Sequence, residues 1–353
     1  MSVSEVFILG NFGYVTNQLD GQTMESRTLV ELLKMKNVQS YDYFDTQELH
    51  FKRSSALIMF KKLIKTRRLF FLGAQRSLKY LFPIVWFITK IFGIKFHFFV
   101  VGGWIAEYIN NMPIHKYLLR KIDGMYCETV SIANKLTNLY DYSHVYWFPN
   151  FRIYNFEPEI ILKHEDPLKL VFMSRITKSK GYPIVFRMAE EVQNRLPNNS
   201  VIIDFYGPIY PDDKADFLKG LSKFDFAEYK GILQPEDIYT TLTKYDAMLF
   251  PTSYKGEGFP GTILDSYISG IPVIASDWRY NSELIRNNQT GFIFDLSDEE
   301  EFYKYIIKLY HDRDLLFRLK IDAHKKSKEF DHNTVWDIIT RRTGLTSEII
   351  TDE

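Results

Sequence analysis

The sequence predicts an α/β protein made of two doubly wound, parallel-sheet halves. Three observations predict it: apolar runs that do not alternate with polar residues, amphipathic stretches between them long enough to cross a sheet, and a length of 353 residues. That length suits two domains of roughly 150 residues each. Apolar residues make up 46% of the chain and charged residues 25%. Such a composition supplies two cores and excludes a disordered, collagen-like or disulfide-stapled chain.

The strands follow in order. In the first half they fall at residues 6–9, 69–72, 96–101, 124–127 and 145–148. Near-continuous apolarity marks strands buried on both faces, as in a parallel sheet. The polar stretch 150–167 reads as a linker, and a second series follows at 170–174, 201–206, 226–229, 247–250, 273–276 and 292–294. From Asp298 onward the pattern is helical, ending at 330–339. The expected domains are 1–160, completed by a C-terminal helix at 331–350, and 161–330.

Lys plus Arg equals Asp plus Glu, 44 against 44, but the charges are unevenly placed. Between Leu49 and Ala106 there are eleven basic residues and no acidic one, which leaves 33 basic against 44 acidic elsewhere, a net of −11. This block, 52–95, contains the apolar run 80–89, read as mostly core. Basic side chains beside aromatics attract anionic lipid by about 1 kcal/mol per Lys or Arg, so contact with an anionic membrane surface is expected. No nucleic-acid recognition motif accompanies the block, and no nucleic acid is expected as a partner. The lone Cys127 fits a reducing compartment. Residues 1–10 read as a strand rather than a signal peptide, and no run reaches the roughly 18 apolar residues of a membrane span. The expected location is cytoplasmic, peripheral on the inner face of the plasma membrane.

Ligands of doubly wound sheets bind beyond the carboxyl ends of the strands, so the chemistry is sought there. The segment Pro251 to Asp277 parses as strand end, glycine-rich loop, a helix from near Pro260 to Gly270, and a strand opened by Pro272. Gly258 and Gly261 let a ligand approach the backbone closely, and the helix start offers N–H groups that suit phosphate. Glu257 precedes that helix and Asp265 lies inside it, where carboxylates can accept hydrogen bonds from sugar hydroxyls. In a second loop, after the strand 170–174, Arg175 and Lys180 offer a planar fork and a mobile point charge to a diphosphate.

These residues resemble family 4 retaining glycosyltransferases, the glycosyl transferases group 1. Glu257-Gly258-Phe259-Pro260-Gly261-Thr262-Ile263-Leu264-Asp265 resembles the family's E-x7-E motif, Arg175 with Lys180-Gly181 its diphosphate clamp, and Tyr206-Gly207-Pro208 its turn after the second strand. The resemblance covers most of 169–295. It implies the GT-B architecture, two Rossmann-like domains facing a central cleft, with the acceptor bound by the first and a nucleotide-sugar donor mainly by the second. On that likeness Glu257, Arg175 and Lys180 are catalytic. Gly258, Phe259, Gly261, Thr262, Asp265, Gly207 and Ile232 bind the donor, Asp265 at the ribose and Ile232 near the base. Asp265 departs from the family's usual Glu and requires the helix to sit closer to the ribose.

The loop after the first strand lacks G-x-G-x-x-G, which argues against a dinucleotide site. Its Gly13, and the Gly21-Gln22-Thr23 run before Arg27, resemble the acceptor-side or phosphate loop of polysaccharide-assembling relatives. Gly103-Trp104 stands where many relatives place a histidine, so no catalytic histidine is assigned; Trp104 is a candidate for stacking on a sugar, with a buried core indole as the preferred reading. No His, Cys or carboxylate spacing suggests a metal; Asp312-Arg313-Asp314 reads as a solvated face. The function expected from the whole is metal-independent, retaining transfer of a sugar from a UDP-sugar to a saccharide acceptor. The acceptor is expected to be lipid-linked, in cell-envelope polysaccharide (capsule or exopolysaccharide) biosynthesis. The alternative is a non-catalytic GT-B subunit that binds glycan or stabilises a partner.

Overall fold

The computed structural model describes residues 3–18, 20–162 and 167–346. The chain divides into two units: Met1–Ile153, Gly256–Phe259 and Phe330–Glu353 form the first, and Tyr154–Lys255 with Pro260–Glu329 form the second. Residues 163–166 of the polar stretch 150–167, and the end of the proposed helix 331–350, lie outside the described residues.

The first unit is built on six parallel strands: β1 (Ser4–Gly10), β2 (Tyr41–Asp45), β3 (Thr66–Gly73), β4 (Lys95–Val100), β5 (Gly124–Cys127) and β6 (Val145–Trp147). Their order is β2-β1-β3-β4-β5-β6. Consecutive residues such as Phe7 and Ile8, or Phe70 and Phe71, are fully buried because both faces of the sheet are covered. One face carries Gly21–Met35 and the C-terminal helix His332–Thr343, whose Val335, Trp336 and Ile339 join Leu29, Leu32, Val6, Ile8 and Phe99 in one cluster. On the other, Phe82 packs against Phe71, Phe96 and Phe98 with ring centroids 5.2–6.0 Å apart.

Strand β2 was not foreseen, since Asp42 and Asp45 interrupt its apolar run. It lies at the sheet edge with one neighbour, where polar residues are tolerated. The run 80–89 is corrected as well. It runs from the π-helical turn Ser77–Leu81 into the helix Phe82–Phe92, which bury Leu78, Phe82 and Val85 but leave Tyr80, Ile84, Phe87 and Ile91 52–65% exposed. Spacing of i, i+4, i+7 and i+11 puts these four on one helical face, and a helix lying on a sheet can bury only the opposite face.

The second unit has β7 (Leu168–Met173), β8 (Val201–Tyr206), β9 (Ala227–Gly231), β10 (Ala247–Phe250), β11 (Val273–Ser276) and β12 (Gly291–Phe294), all parallel, in the order β12-β11-β10-β7-β8-β9. The chain runs from β7 outward to β9, then returns to place β10 on the other side of β7. That reversal opens a crevice at the carboxyl ends of β7 and β10. In Asp312-Arg313-Asp314 the two acids are exposed, as a solvated face requires, while Asp312 also caps the helix Arg313–Ser327 through Leu315 N–H at 2.8 Å and Arg313 is buried 3.9 Å from Asp246. Among the described residues no helix is long and apolar enough to cross a membrane.

Candidate active site

In the second unit the reversal point gathers loops that are far apart in sequence. Arg175 follows β7 directly; Lys180 ends the short helical turn Lys178–Lys180. Ser253 N–H donates to Ser179 O at 2.8 Å, pinning the segment after β10 to the segment after β7. Gly181 makes the approach possible: its φ is +91°, and a Cβ there would lie 2.0 Å from Pro251 O. Gly207, after β8, is equally constrained, with a Cβ that would lie 1.9 Å from Ser174 O. Thr262 Oγ1 donates to Met173 O at 2.9 Å and fixes the start of the helix Gly261–Ile268 to the end of β7.

The cations meet at one ring. The Arg175 guanidinium lies 5.2 Å from the centroid of Tyr254 and the Lys180 ammonium 5.0 Å from the same centroid. Arg175 is exposed, whereas Lys180 is 8% exposed and also lies over Phe250. Both loops thus bring a cation to the same ring, where cation–π attraction is worth about 0.5–2 kcal/mol. Lys178, the third basic residue of the loop, turns away and pairs with Asp216 at 2.6 Å.

The helix Gly261–Ile268 begins beside these cations without a side-chain cap, and Pro260 precedes it in extended backbone rather than occupying its first turn. Its leading N–H groups therefore add to the positive potential. Asp265 is buried four residues beyond Gly261, about 6 Å along the axis. Gly207 follows β8 and Ile232, 56% exposed, follows β9. At about 4.8 Å per strand, Ile232 stands roughly 10 Å from the β7 loop. The cationic loop, the glycine turn and Ile232 thus lie in a row along one sheet edge.

Glu257, Gly258 and Phe259 belong to the first unit. Glu128, directly after β5, holds this segment: its Oε2 accepts from Phe259 N–H at 2.6 Å and its Oε1 from Gly102 N–H at 2.7 Å. Asn150 Nδ2 donates to Phe259 O at 3.3 Å, and Phe259 packs edge-on against Phe330, 4.8 Å between centroids. Glu257 is buried and electrostatically coupled to Glu128. Glu128 is in turn hydrogen-bonded to Glu25 of the helix Gly21–Met35. Burial and the Glu128 charge push the Glu25 carboxyl well above the usual carboxylate range. Neither Glu25 nor Glu128 had been singled out from sequence; no local spacing links residues 103 positions apart.

The remaining acceptor-side residues sit as follows. Gly13 adopts φ +68° in a loop held by Asp45, which accepts from Phe12 N–H at 3.2 Å and Tyr14 N–H at 2.9 Å. Arg27 braces that loop by donating to Phe12 O at 2.7 Å and lying over the Tyr14 ring. Gly21 is exposed and Gln22 half-buried at the start of their helix, while Thr23 is buried in a capping box with Asp20. Trp104 is 8% exposed, and its indole N–H donates to Val101 O at 2.6 Å.

Residues 154–326 match the family model for glycosyl transferases group 1. The chain is 24% identical over 188 residues to the sulfoquinovosyl transferase SQD2 of Arabidopsis thaliana, covering 52% of this chain and 34% of that protein. It is 22% identical over 245 residues to the capsular polysaccharide biosynthesis glycosyltransferase CapM of Staphylococcus aureus, covering 63% and 62%. The chain thus spans between a third and just under two thirds of the length of these relatives. The crystal structure of Anabaena HepE in complex with UDP superposes with a TM-score of 0.76 at 14% identity, over 96% of this chain and 99% of that one. The shared fold is GT-B, with two Rossmann-like sheets.

Proposed function

We propose that this protein transfers a sugar, with retention of configuration and without a metal, from a UDP-sugar to a saccharide acceptor in cell-envelope polysaccharide assembly. The observation that carries the reading is the convergence of Arg175 and Lys180 on Tyr254 at the reversal point of the second sheet. As the bond from the sugar's anomeric carbon to the diphosphate breaks, negative charge grows on the diphosphate oxygens. Preorganised cations and helix N–H groups aimed there lower the barrier. In this scheme the acceptor oxygen bonds to the anomeric carbon on the face the diphosphate leaves, and the acceptor's proton passes to the departing diphosphate. Glu257 accepts from the sugar hydroxyls, Asp265 from the ribose, Gly207 lets the nucleotide pass close to the backbone, and Ile232 covers the base. Gly258, Phe259, Gly261 and Thr262 shape the donor's bed. The family match, CapM's name and the UDP held by HepE support a nucleotide donor and a polysaccharide product.

A lipid-linked acceptor at an anionic membrane surface forms part of the proposal. The exposed stripe Tyr80, Ile84, Phe87 and Ile91 rises from the block 52–95, where every charged residue is basic. Apolar side chains flanked by Lys and Arg suit the interface of an anionic bilayer.

The test is a thermal-shift series with UDP, GDP and ADP and their sugars, paired with donor turnover. Saturating UDP is expected to raise Tm by roughly 5 °C, and Arg175→Ala and Lys180→Ala to abolish that shift while folding normally. Absence of a shift with every nucleotide would overturn the donor reading. Flotation with phosphatidylglycerol vesicles, but not with phosphatidylcholine vesicles, is the outcome expected for the membrane surface.

A further inference from the structure

The two oxygens of the Glu128 carboxylate are divided between two loops of the first unit. Oε1 takes the N–H of Gly102, after β4, and Oε2 takes the N–H of Phe259, two residues from Glu257. Gly103 N–H reaches Gly256 O at 3.4 Å, and a Cβ on Gly258 would come within 2.1 Å of Glu128 Oε2 and 2.8 Å of Gly102 Cα. The segment Gly256–Phe259 therefore lies flat against the β4 and β5 loops, held at both ends. From these contacts we infer that Glu128 is a positioning residue for Glu257, with Glu25 as the hydrogen-bond partner that keeps its carboxylate aimed at the two amides. The role in turnover rests on the sugar-transfer reading above; the latch itself does not.

The charges around the latch explain why two carboxyl groups are used. Glu25 faces Glu128, Arg152 and Asp20, and Glu128 faces Glu25 and Glu257. Three acids meet in a buried setting with Arg152 as the opposing cation. Glu25 in its protonated form donates to Glu128 and spares it a second negative neighbour. Losing that proton puts charge beside Glu128 and loosens its hold; adding one to Glu128 removes an acceptor from an amide. The latch is firmest in the singly protonated state.

The experiment uses the full chain with Glu128→Gln, Gly258→Ala and Glu25→Gln. Amide hydrogen exchange is followed in the peptide containing Phe259, together with the UDP thermal shift and the kcat and donor KM of transfer. Gln at 128 presents an N–H group to one of the two amides, so exchange at Phe259 is expected to quicken about 10- to 100-fold, the worth of a charge-assisted hydrogen bond. Over the same comparison kcat should fall by a similar factor with donor KM changed less than about threefold. Gly258→Ala should give the same pattern by pushing the segment off Glu128, and it serves if Glu128→Gln does not fold. Glu25→Gln mimics the singly protonated pair: exchange should match the wild type at neutral pH, and the alkaline loss of protection expected of the wild type should vanish.

Unchanged exchange at Phe259 in both Glu128→Gln and Gly258→Ala would overturn the latch, as would an alkaline limb that persists in Glu25→Gln. A wild type that shows the latch in exchange but no UDP shift and no turnover would overturn the functional reading instead, so the two failures are separable.

Discussion

Six parallel strands and one reversal of strand order describe both units, yet the loops at their carboxyl edges differ in sign. In the second unit the reversal point gathers Arg175, Lys180 and an uncapped helix start. In the first unit the same edge collects carboxylates: Asp45 at the end of β2, Glu25 on the helix after β1, Glu128 after β5, and Glu257 on the inserted segment. Two of these carboxylates, Asp45 and Glu128, accept main-chain N–H groups and so shape loops. The cations of the second unit instead gather at an aromatic ring, Tyr254. The fold supplies an edge; the charge placed on it decides whether that edge builds structure or binds.

That contrast can be broken from the cationic side first. Arg175→Ala and Lys180→Ala should each cut kcat about 10²- to 10³-fold, the cost of removing one preorganised group from a developing anion, while urea unfolding of Arg175→Ala stays within about 0.5 kcal/mol of the wild type. Equal losses of activity and stability would assign the pair to folding. Next in size is Gly207→Ala, which forces a Cβ into Ser174 O at φ +130°; a loss of about 2–4 kcal/mol in urea and a weakened UDP shift are expected.

The anionic side is tested by pH. Folding raises the Glu25 carboxyl above its unfolded value of 4.5, so the folded state binds the extra proton and loses stability as pH climbs through the window between the two values. Glu25→Gln removes this slope. Its advantage over the wild type should be nil near pH 4.5 and grow as pH rises, read from urea midpoints. The smallest effect belongs to Phe87→Ser, which should change stability by less than about 0.5 kcal/mol yet reduce vesicle flotation. Phe82→Ala, five residues earlier and fully buried, should cost about 3–5 kcal/mol.

Eleven of the twelve strands among the described residues could be read from the sequence, most of them because burial on both faces writes an uninterrupted apolar run; the edge strand β9, with Glu228 and Lys230, is the exception. The twelfth, β2, could not, since an edge strand with Asp42 and Asp45 carries no such run. Arg175 and Lys180 could be placed beyond a strand end from local order alone, as could the glycines at 181 and 207. The run 80–89 misled because hydropathy counts apolar atoms without regard to the side of the helix they occupy. Thr23 was a candidate by residue type, yet its capping box with Asp20 and the Trp104 indole bond to Val101 are both contacts three residues apart, made by the local turn.

By itself the sequence determined the two-sheet plan, the strand ends and the basic loop after β7, since each is encoded within a dozen consecutive residues. The tertiary structure decided the rest: that two cations share one tyrosine, that an apolar stripe faces outward, and that Glu128 reaches across 131 positions to Phe259. Those depend on which loops the strand order brings side by side, and that order is set by packing of the whole sheet rather than by any single segment.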